Sequence, residues 1–435
     1  GATQGGGIFV NGYAHNLQIS NNRLKNNQGT FGGGIRVGHA TLTNPVGATF
    51  VHTDAQNTNI SIHHNHIDQN GGGAGARGAG GGVSLYTGTS NYSVANNFIC
   101  GNFAQFNAGG IGHFGLSDNG VIADNTIVFN QSFDQGLNVH GGGVFIGGKA
   151  ALALDASTDG TGSVTVEGNR IQGNQAGAGN GGGIAISFVN GTEVGVDPNL
   201  WYKIDILDNI IVNNMAGNAG GGLSMEDAAS IQVINNTIVS NDSTATVGIA
   251  FAPNNPNLTL AQPGAGVASF GHSTALSTAT GQTFSDPVLS NNIIWQNRSF
   301  YFEISTTLPS TFSLLPDVSV SPPVYDDLGV IGIAGALLSP TNGIITDITG
   351  YDPSNVSVDP DFNSSGPNGN GQTSNLSEQT TFTAADLAVA VDEGGNFIDI
   401  RFGPLSMSAS GDYHLNVTSP AIDFSTLLIG GNLND

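Results

Sequence analysis

One short pattern returns along most of this chain: a glycine triplet followed by an apolar residue, as in FGGGIRV at residues 31–37. The triplets stand at residues 5–7, 32–34, 80–82, 141–143, 181–183 and 220–222, with degenerate copies at 108–110 and 264–266. The position two residues beyond that apolar residue is usually apolar as well, which indicates a short β-strand entered through a glycine turn. The fold must therefore repeat this strand many times.

A second pattern alternates with the first: two asparagines five residues apart with an apolar residue between them. The first members of the eight pairs are Asn22, Asn65, Asn97, Asn125, Asn169, Asn209, Asn236 and Asn292. The shortest full cycle, from Ile8 to Ile35, is 27 residues long, and such a period is typical of a solenoid. Because chains rich in Gly, Asn and β-branched residues disfavour helices, we predict an all-β parallel β-helix of about eight coils in residues 1–299.

Asparagine suits the corners of such coils. Its side chain carries both a donor and an acceptor, so equivalent asparagines one coil apart can hydrogen-bond to one another and to the backbone. Asparagine also tolerates the left-handed conformation that tight corners need. We predict that the eight first members form a buried ladder.

The NNxIxxN and GGGI coils resemble those of the pectin-lyase-like right-handed parallel β-helix superfamily, specifically its bacterial secreted and surface members. DPDF at residues 359–362, GDYHL at 411–415 and SPAID at 419–423 are similar to the C-terminal closing motif of such proteins, DPxF, DYxL and SPAID. The resemblance implies a right-handed, single-stranded helix closed by an irregular β-rich segment, residues 300–435. Phe362 and Leu415 would lie in the core and Asp423 would hold a turn. No activity is implied, because the superfamily includes lyases, hydrolases, adhesins and inert scaffolds.

The charge balance limits the partners. The 435 residues contain 32 Asp and Glu against nine Lys and Arg, a net charge of −23. This argues against nucleic acid and anionic lipid and favours a cation, a neutral glycan or a protein, either a protein partner or self-assembly. The lone Cys100 excludes an internal disulfide, and no run of 18 apolar residues offers a membrane span. Few lysines with much Asn and Gly are typical of an extracellular or cell-surface protein.

Insertions lengthen the coils at about residues 39–59, 148–162, 188–202 and 271–286, and a loop at about 242–263 leaves from another corner. Inserts at one corner of a solenoid project from one face, so we expect any ligand on that face. The chain begins inside a coil, and we expect an upstream segment or a partner chain to cover the strand edges there.

Catalysis on this fold would need paired carboxylates, or acidic Ca²⁺ ligands with a basic residue. The outward positions beside the glycine strand hold no acid. The best cluster beside the asparagine strand is Glu167 and Arg170 in one coil with Asp205 and Asp208 in the next. It is either a catalytic site or a solvated charged patch.

For metals, we expect no cofactor, with two alternatives. His63 and His66 point outward from the second coil and would suit a transition metal. Three acidic residues would be suitable ligands for Ca²⁺: Asp118, Asp124 and Asp134. His113 stands at an inward position, where a hydrogen-bonded core histidine is expected.

One outward column that ought to be polar is apolar in the later coils. It includes Ile210, Val212, Val239 and Trp295. An exposed stripe of this length exceeds what a soluble monomer tolerates, so we predict that residues 300–338 or a neighbouring subunit cover it. Near its end stand four aromatic residues, Trp295, Phe300, Tyr301 and Phe302, for which we favour core packing over stacking on a sugar ring.

These observations favour a non-catalytic extracellular or surface scaffold that serves attachment or assembly. The alternative is a carbohydrate-active enzyme, either a polysaccharide lyase or a glycoside hydrolase. A groove lined by two or more carboxylates with a base or Ca²⁺ would favour the enzyme.

Overall fold

A computed structural model describes residues 5–29, 31–38, 42–43, 50–51, 55–72, 79–132, 134, 139–148, 159–195, 197–304, 312–316, 321–364, 411–422 and 424. The predicted parallel β-helix is confirmed: each strand pairs in parallel with the equivalent strand one coil later. Four sheets run along the helix. We name them the glycine, middle, asparagine and short sheets, in the order in which the chain passes through them, and we number the coils by their glycine-sheet strand.

The three long sheets have nine strands each. The glycine sheet contains Ile8–Val10, Ile35–Val37, Val83–Tyr86, Ile111–Phe114, Val144–Gly147, Ile184–Ser187, Leu223–Glu226, Val267–Phe270 and Leu328–Ile331. The middle sheet contains Gln18–Ser20, Ser61–His63, Ser93–Ala95, Gly120–Ala123, Val164–Glu167, Ile204–Leu207, Ile231–Ile234, Val288–Ser290 and Pro340–Thr341. The asparagine sheet contains Arg23–Lys25, His66–Asp68, Phe98–Cys100, Thr126–Val128, Arg170–Gln172, Ile210–Val212, Thr237–Val239, Ile293–Trp295 and Ile344–Ile345.

The short sheet has seven two-residue strands. They are Gly71–Gly72, Phe103–Ala104, Gln131–Ser132, Gln175–Ala176, Met215–Ala216, Asp242–Ser243 and Arg298–Ser299. In the part of the chain that the structure describes, four further pairs lie outside these sheets: Asn57–Thr58 with Thr89–Ser90, Leu42–Thr43 with Phe50–Val51, Tyr301–Ile304 with Phe312–Leu315, and Phe362–Ser364 with Asp412–Leu415. The helices in the described residues are one α-helix, Thr274–Thr280, and three 3₁₀ turns, Thr192–Gly195, Pro198–Leu200 and Gly248–Ala250.

The parallel sheets continue past residue 299, where we placed the end of the helical domain. Leu328–Ile331, Pro340–Thr341 and Ile344–Ile345 add a ninth coil to the long sheets. The sequence pattern does not reveal this coil, because it has neither a glycine triplet nor an asparagine pair.

The core is a stack of identical apolar positions. In the fourth coil Ile111, Ile122 and Ile127 point inward from the three long sheets and are fully buried. The middle glycine of each triplet lets the coils approach one another, since a Cβ at Gly81 would lie 2.5 Å from the carbonyl oxygen of Gly109. The triplets therefore mark places where only backbone fits.

The asparagine ladder is confirmed at seven of its eight predicted positions, which are buried. The backbone N–H and Nδ2 of Asn97 donate to Oδ1 of Asn125 at 2.9 and 3.0 Å, and Asn125 bonds in the same way to Asn169. The second members of the pairs form a parallel ladder, as in the bonds from Asn102 to Asn130 at 3.0 and 2.9 Å.

Two details of the ladder prediction are wrong. Asn22 is exposed, because among the described residues no coil lies above it. The left-handed conformation also does not belong to the ladder asparagines. It belongs to the residue before each, such as Asn96 and Asp208 with φ of 56° and 54°.

Two inserts pack against each other beside the glycine and middle sheets. The helix Thr274–Thr280 contacts the turn Thr192–Gly195, as expected for inserts at one corner. Ser273 caps this helix by accepting a hydrogen bond from the N–H of Leu276, and Gly281 ends it at φ of 74°. The inserts at 39–59 and 148–162 lie mostly outside the described residues.

Candidate functional site

Two of the four predicted catalytic residues share one surface. Glu167 and Asp205 both point outward from the middle sheet, where Asp205 stands opposite Thr165 and Glu167 opposite Leu207. Glu167 and Asp205 lie on neighbouring strands and are offset by two residues, so their Cα atoms are roughly 8 Å apart. Carboxylates at that offset can approach the separation used by glycoside hydrolases.

The other two residues lie elsewhere. Arg170 points outward from the asparagine sheet, on the far side of the ladder corner. Its Nε and Nη2 donate to Oε1 of Gln172 at 2.9 and 2.6 Å, and Nη2 donates to the carbonyl oxygen of Gly411 at 3.4 Å. Asp208 is exposed at the corner itself. The predicted four-residue cluster is therefore divided between two surfaces.

The electrostatics of the two surfaces differ. Burial raises the pKa of Asp205, while the charge of Lys203 opposes that shift. Burial lowers the pKa of Arg170, and the nearby Tyr413 and Asp412 oppose that. A carboxyl group with a raised pKa can donate a proton, so Asp205 is a candidate acid.

The predicted transition-metal pair is also divided by the corner. His63 lies on the middle sheet with its Nδ1 2.9 Å from Nδ1 of His64, whereas His66 lies on the asparagine sheet, stacked on Phe98. His66 Nδ1 lies 3.2 Å from Oδ1 of Asp68. The described part of the chain holds no group of three His, Cys, Asp or Glu side chains placed to bind one metal ion.

The predicted Ca²⁺ ligands are also not grouped as a metal site. Asp118 accepts a hydrogen bond from the backbone N–H of Ser163 at 2.8 Å, and Asp124 occupies a left-handed corner at φ of 53°. Each carboxylate of that pair thus lies at a turn of its own coil. Asp134 lies just after the short sheet.

His113 is a core histidine, as expected. It is fully buried, and its Nε2 lies 2.8 Å from the carbonyl oxygen of Gly115 and 3.0 Å from that of Thr161. Two acceptors at Nε2 place the proton there, so Nδ1 accepts from the Tyr92 hydroxyl at 2.8 Å. Burial lowers the pKa of His113 to about 4, which keeps the ring neutral.

A Ser, His and Asp constellation that the sequence did not suggest lies under the last insert. Ser285 Oγ is 3.3 Å from Nε2 of His272, and the charge of Asp227 acts on that ring. Ser285 is fully buried, however, and its Oγ accepts the backbone N–H of Ala228 at 3.2 Å. A nucleophile needs access to substrate, so this constellation holds the insert in place.

The apolar stripe of the later coils is covered, but not by the predicted segment. The hairpin Phe362–Ser364 with Asp412–Leu415, which we call the strap, packs Tyr413 and Phe362 on the stripe. The stripe residues in contact with it are Ile210, Val212, Val239, Ile293 and Trp295. The Tyr413 hydroxyl donates to Oδ1 of Asn213 at 2.8 Å.

The prediction that residues 300–338 cover the stripe is wrong for the described part of that segment. Tyr301–Ile304 directly follows the short-sheet strand Arg298–Ser299 and pairs with Phe312–Leu315, not with the asparagine sheet. Phe300 packs instead with Met215 and Leu314. Core packing is thus confirmed for Phe300 and Phe302, which are 1% and 4% exposed. Asp423 lies outside the described residues.

A shallow cavity of about 390 Å³ lies beside the hairpin formed by Tyr301–Ile304 and Phe312–Leu315. It is lined by Leu258, Thr259, Leu260, Ala261, Tyr301 and Glu303. The sequence predicts that the loop at about 242–263 leaves the coils at this corner, but it does not predict the pairing of that loop with Glu303 through Leu258.

Comparison with protein-family models, curated proteins and solved structures found no match to this chain. Within the described residues, none of the helices has the length and apolar character needed to cross a membrane.

Proposed function

We propose that this chain is a non-catalytic extracellular or cell-surface scaffold, used for attachment or assembly. The observation that carries the proposal is the position of Arg170. The basic residue of the best candidate cluster lies on the asparagine sheet, where it donates to Gln172 and to Gly411 beside the strap, whereas Glu167 and Asp205 lie on the middle sheet. Its role in this arrangement is to fix the strap on the coils.

The wider assignment to the pectin-lyase-like superfamily, and to its bacterial secreted members, belongs to the same proposal. Two features support it. The asparagine ladders are buried, and the strands that bear the DPxF and DYxL motifs pair with each other as a hairpin that closes the later coils. A right-handed helix is part of this assignment.

A carbohydrate-active enzyme is the second candidate, and one observation favours it. Glu167 and Asp205 share a surface at a suitable offset, and Oδ1 of Asp205 is buried without a hydrogen-bond partner. Such a carboxyl group would protonate a leaving group, with Glu167 acting as the second carboxylate.

One experiment separates the two candidates. The wild-type chain and an E167Q/D205N variant are incubated with a panel of neutral and uronate polysaccharides, and new reducing ends and unsaturated products are measured. The scaffold proposal expects no turnover beyond that of the variant, together with binding to an intact glycan surface or to cells. Turnover by the wild type that the variant lacks would establish the enzyme instead.

A further inference from the structure

The loop that connects coils seven and eight does not hang free of the molecule. It adds to the hairpin strand Tyr301–Ile304, where Leu258 pairs antiparallel with Glu303. The backbone N–H of Thr259 donates to the carbonyl oxygen of Phe302 at 2.9 Å, and the N–H of Phe302 donates to the Thr259 hydroxyl at 2.7 Å. Loop and hairpin therefore form one small antiparallel sheet beside the coils.

The outer face of this small sheet carries the shallow cavity, which we call the Tyr301 groove. Tyr301 and Glu303 point to this face, because Phe302 between them points inward and is 4% exposed. Leu258 lies opposite Glu303, and the same register places Leu260 opposite Tyr301. The groove therefore has a carboxylate at one end and an aromatic ring at the other, about 7 Å apart along the strand, with a leucine facing each.

The polar groups of the groove are unused within the described part of the chain. Neither the Glu303 carboxylate nor the Tyr301 hydroxyl has a hydrogen-bond or ion-pair partner there. Arg298, the base nearest to them in the sequence, donates from Nε and Nη2 to Asp242 at 2.8 and 2.6 Å, and its side chain is 8% exposed. The groove consequently presents one negative charge without a counter-ion.

This arrangement selects the chemistry of an occupant. An anion would be repelled by Glu303, and a neutral sugar could stack on Tyr301 but would leave the charge of Glu303 uncompensated. An arginine side chain meets all three features. Its methylene stem packs on apolar side chains, and its planar guanidinium stacks on an aromatic ring while it donates two parallel hydrogen bonds to a carboxylate.

The surface beside the groove is apolar as well. Ile249, Phe251 and Leu260 are 63%, 37% and 49% exposed. They lie together, because the N–H of Leu260 donates to the carbonyl oxygen of Ala250 at 2.8 Å and Phe251 pairs with Thr259. A rim of this kind suits apolar residues on either side of the arginine, so the fitting partner is a protein segment and not a free cation.

We propose that the Tyr301 groove binds an arginine side chain of a protein partner, flanked in that partner by apolar residues. The proposal rests on the attachment or assembly function and names the chemistry of the partner and the surface that it contacts.

The test measures binding of the full-length chain, by surface plasmon resonance, to an immobilised capped pentapeptide whose central arginine has a leucine on each side. A second peptide carries citrulline, which has nearly the shape of arginine without its charge, and a third carries lysine. The arginine peptide should bind about tenfold more tightly than the citrulline peptide. The lysine peptide should lie between them, because an ammonium keeps the charge but lacks the planar fork. The advantage of arginine over citrulline should shrink at about 500 mM salt.

Glu303→Gln should weaken the arginine peptide about tenfold and remove its advantage over citrulline. Tyr301→Ala should weaken it as well, whereas Tyr301→Phe, which keeps the ring, should bind like the wild type. Glu303 is exposed, so Glu303→Gln keeps the fold and its result stands even where Tyr301→Ala loosens the hairpin. The matched controls are Asp124→Asn, the same charge change at an exposed carboxylate in coil four, and Tyr13→Ala, which removes a tyrosine that is 74% exposed. Both should bind like the wild type.

Equal binding of the arginine and citrulline peptides would overturn the proposal, as would a Glu303→Gln variant that binds normally or an Asp124→Asn variant that is weakened equally. Lysine binding as tight as arginine binding would overturn the choice of arginine. Neutral cello- or malto-oligosaccharides that bind the wild type and Glu303→Gln but not Tyr301→Ala would place a sugar in the groove instead. Binding to cells or to a glycan surface that Glu303→Gln retains, while the arginine peptide shows no preference, would leave the attachment function standing and overturn this site.

Discussion

Replacing Asn125 by alanine tests the ladder at an inner position. The Asn125 Oδ1 accepts hydrogen bonds from the backbone N–H and the Nδ2 of Asn97, at 2.9 and 3.0 Å. Its Nδ2 donates to the carbonyl oxygen of Val94 at 2.8 Å and to Oδ1 of Asn169 at 3.0 Å. The substitution removes all four bonds and fills none of the vacated positions.

The largest cost comes from Asn97. That residue is 3% exposed, so its backbone N–H cannot turn to bulk water. Leaving one buried donor unpaired costs about 1 to 3 kcal/mol. The Val94 carbonyl adds less, because a carbonyl oxygen has two lone pairs and is less dependent on a single donor. We expect the free energy of unfolding to fall by about 2 to 4 kcal/mol.

Asn22→Ala is the matched control, since Asn22 has the same role in the first coil but is exposed. It should cost less than about 1 kcal/mol, because water replaces the lost bonds. Both variants are compared by urea unfolding at one pH. Because solenoids do not always unfold in a single step, amide hydrogen exchange at Asn97 supplies a local readout, and protection there should fall only in Asn125→Ala. Equal destabilisation by the two variants, or an Asn97 amide that stays protected, would refute the reasoning.

Three further predictions concern buried polar groups. Because the pKa of His113 is lowered to about 4, the unfolded chain takes up a proton near pH 6.5 and the folded chain only near pH 4. The stabilisation from this group is therefore present above pH 6.5 and is lost as the pH falls towards 4. In His113→Gln, the difference between the unfolding free energies at pH 7.5 and pH 4.5 should be about 3 kcal/mol smaller than in the wild type. Tyr413→Ala should uncover the apolar stripe and shift tryptophan emission to the red, whereas Tyr413→Phe, which removes the hydroxyl that bonds Asn213 but keeps the ring on the stripe, should leave the emission in place. Arg298 binds Asp242 at 2.8 and 2.6 Å, so Arg298→Met should cost about 3 to 5 kcal/mol in urea unfolding, and adding Asp242→Leu should recover most of it.

The fold could be predicted from the sequence because its two patterns are direct consequences of backbone packing. A middle glycine such as Gly81 is required where a Cβ would meet the next coil, and a ladder residue such as Asn97 is required where donor and acceptor must both be met each turn. Residues under such local constraints repeat visibly. The ninth coil has neither a glycine triplet nor an asparagine pair, so its strands are recognised only from their pairing in the structure.

The candidate site could be predicted less well, because it depends on which side of a corner a side chain points. The spacing of Glu167 and Arg170 placed them near each other along the chain, but Asn169 between them turns the backbone, so they face different surfaces. The strap is a clearer case. The apolar stripe predicts that another segment must cover it. The covering residue Tyr413 lies 200 residues beyond Asn213 in the chain, and no sequence pattern links the two.

The ladders also explain how the stack of coils can stop. Each ladder asparagine needs an acceptor in the following coil, so an ordinary asparagine at the last position would leave its own donors unmet. Asp327 ends the second ladder: its Oδ1 accepts from the backbone and Nδ2 of Asn297 at 3.1 and 2.8 Å, and its Oδ2 accepts from the N–H of Thr346 at 2.8 Å. Burial raises the pKa of Asp327 to about 6, against those bonds, so at neutral pH it is ionised and accepts without donating. Asn355 ends the first ladder from a following turn, accepting from Gly343 and donating back to the carbonyl oxygens of Pro340 and Asp352. Among the described residues, each ladder therefore ends on a side chain whose hydrogen-bonding groups are met without a further ladder asparagine.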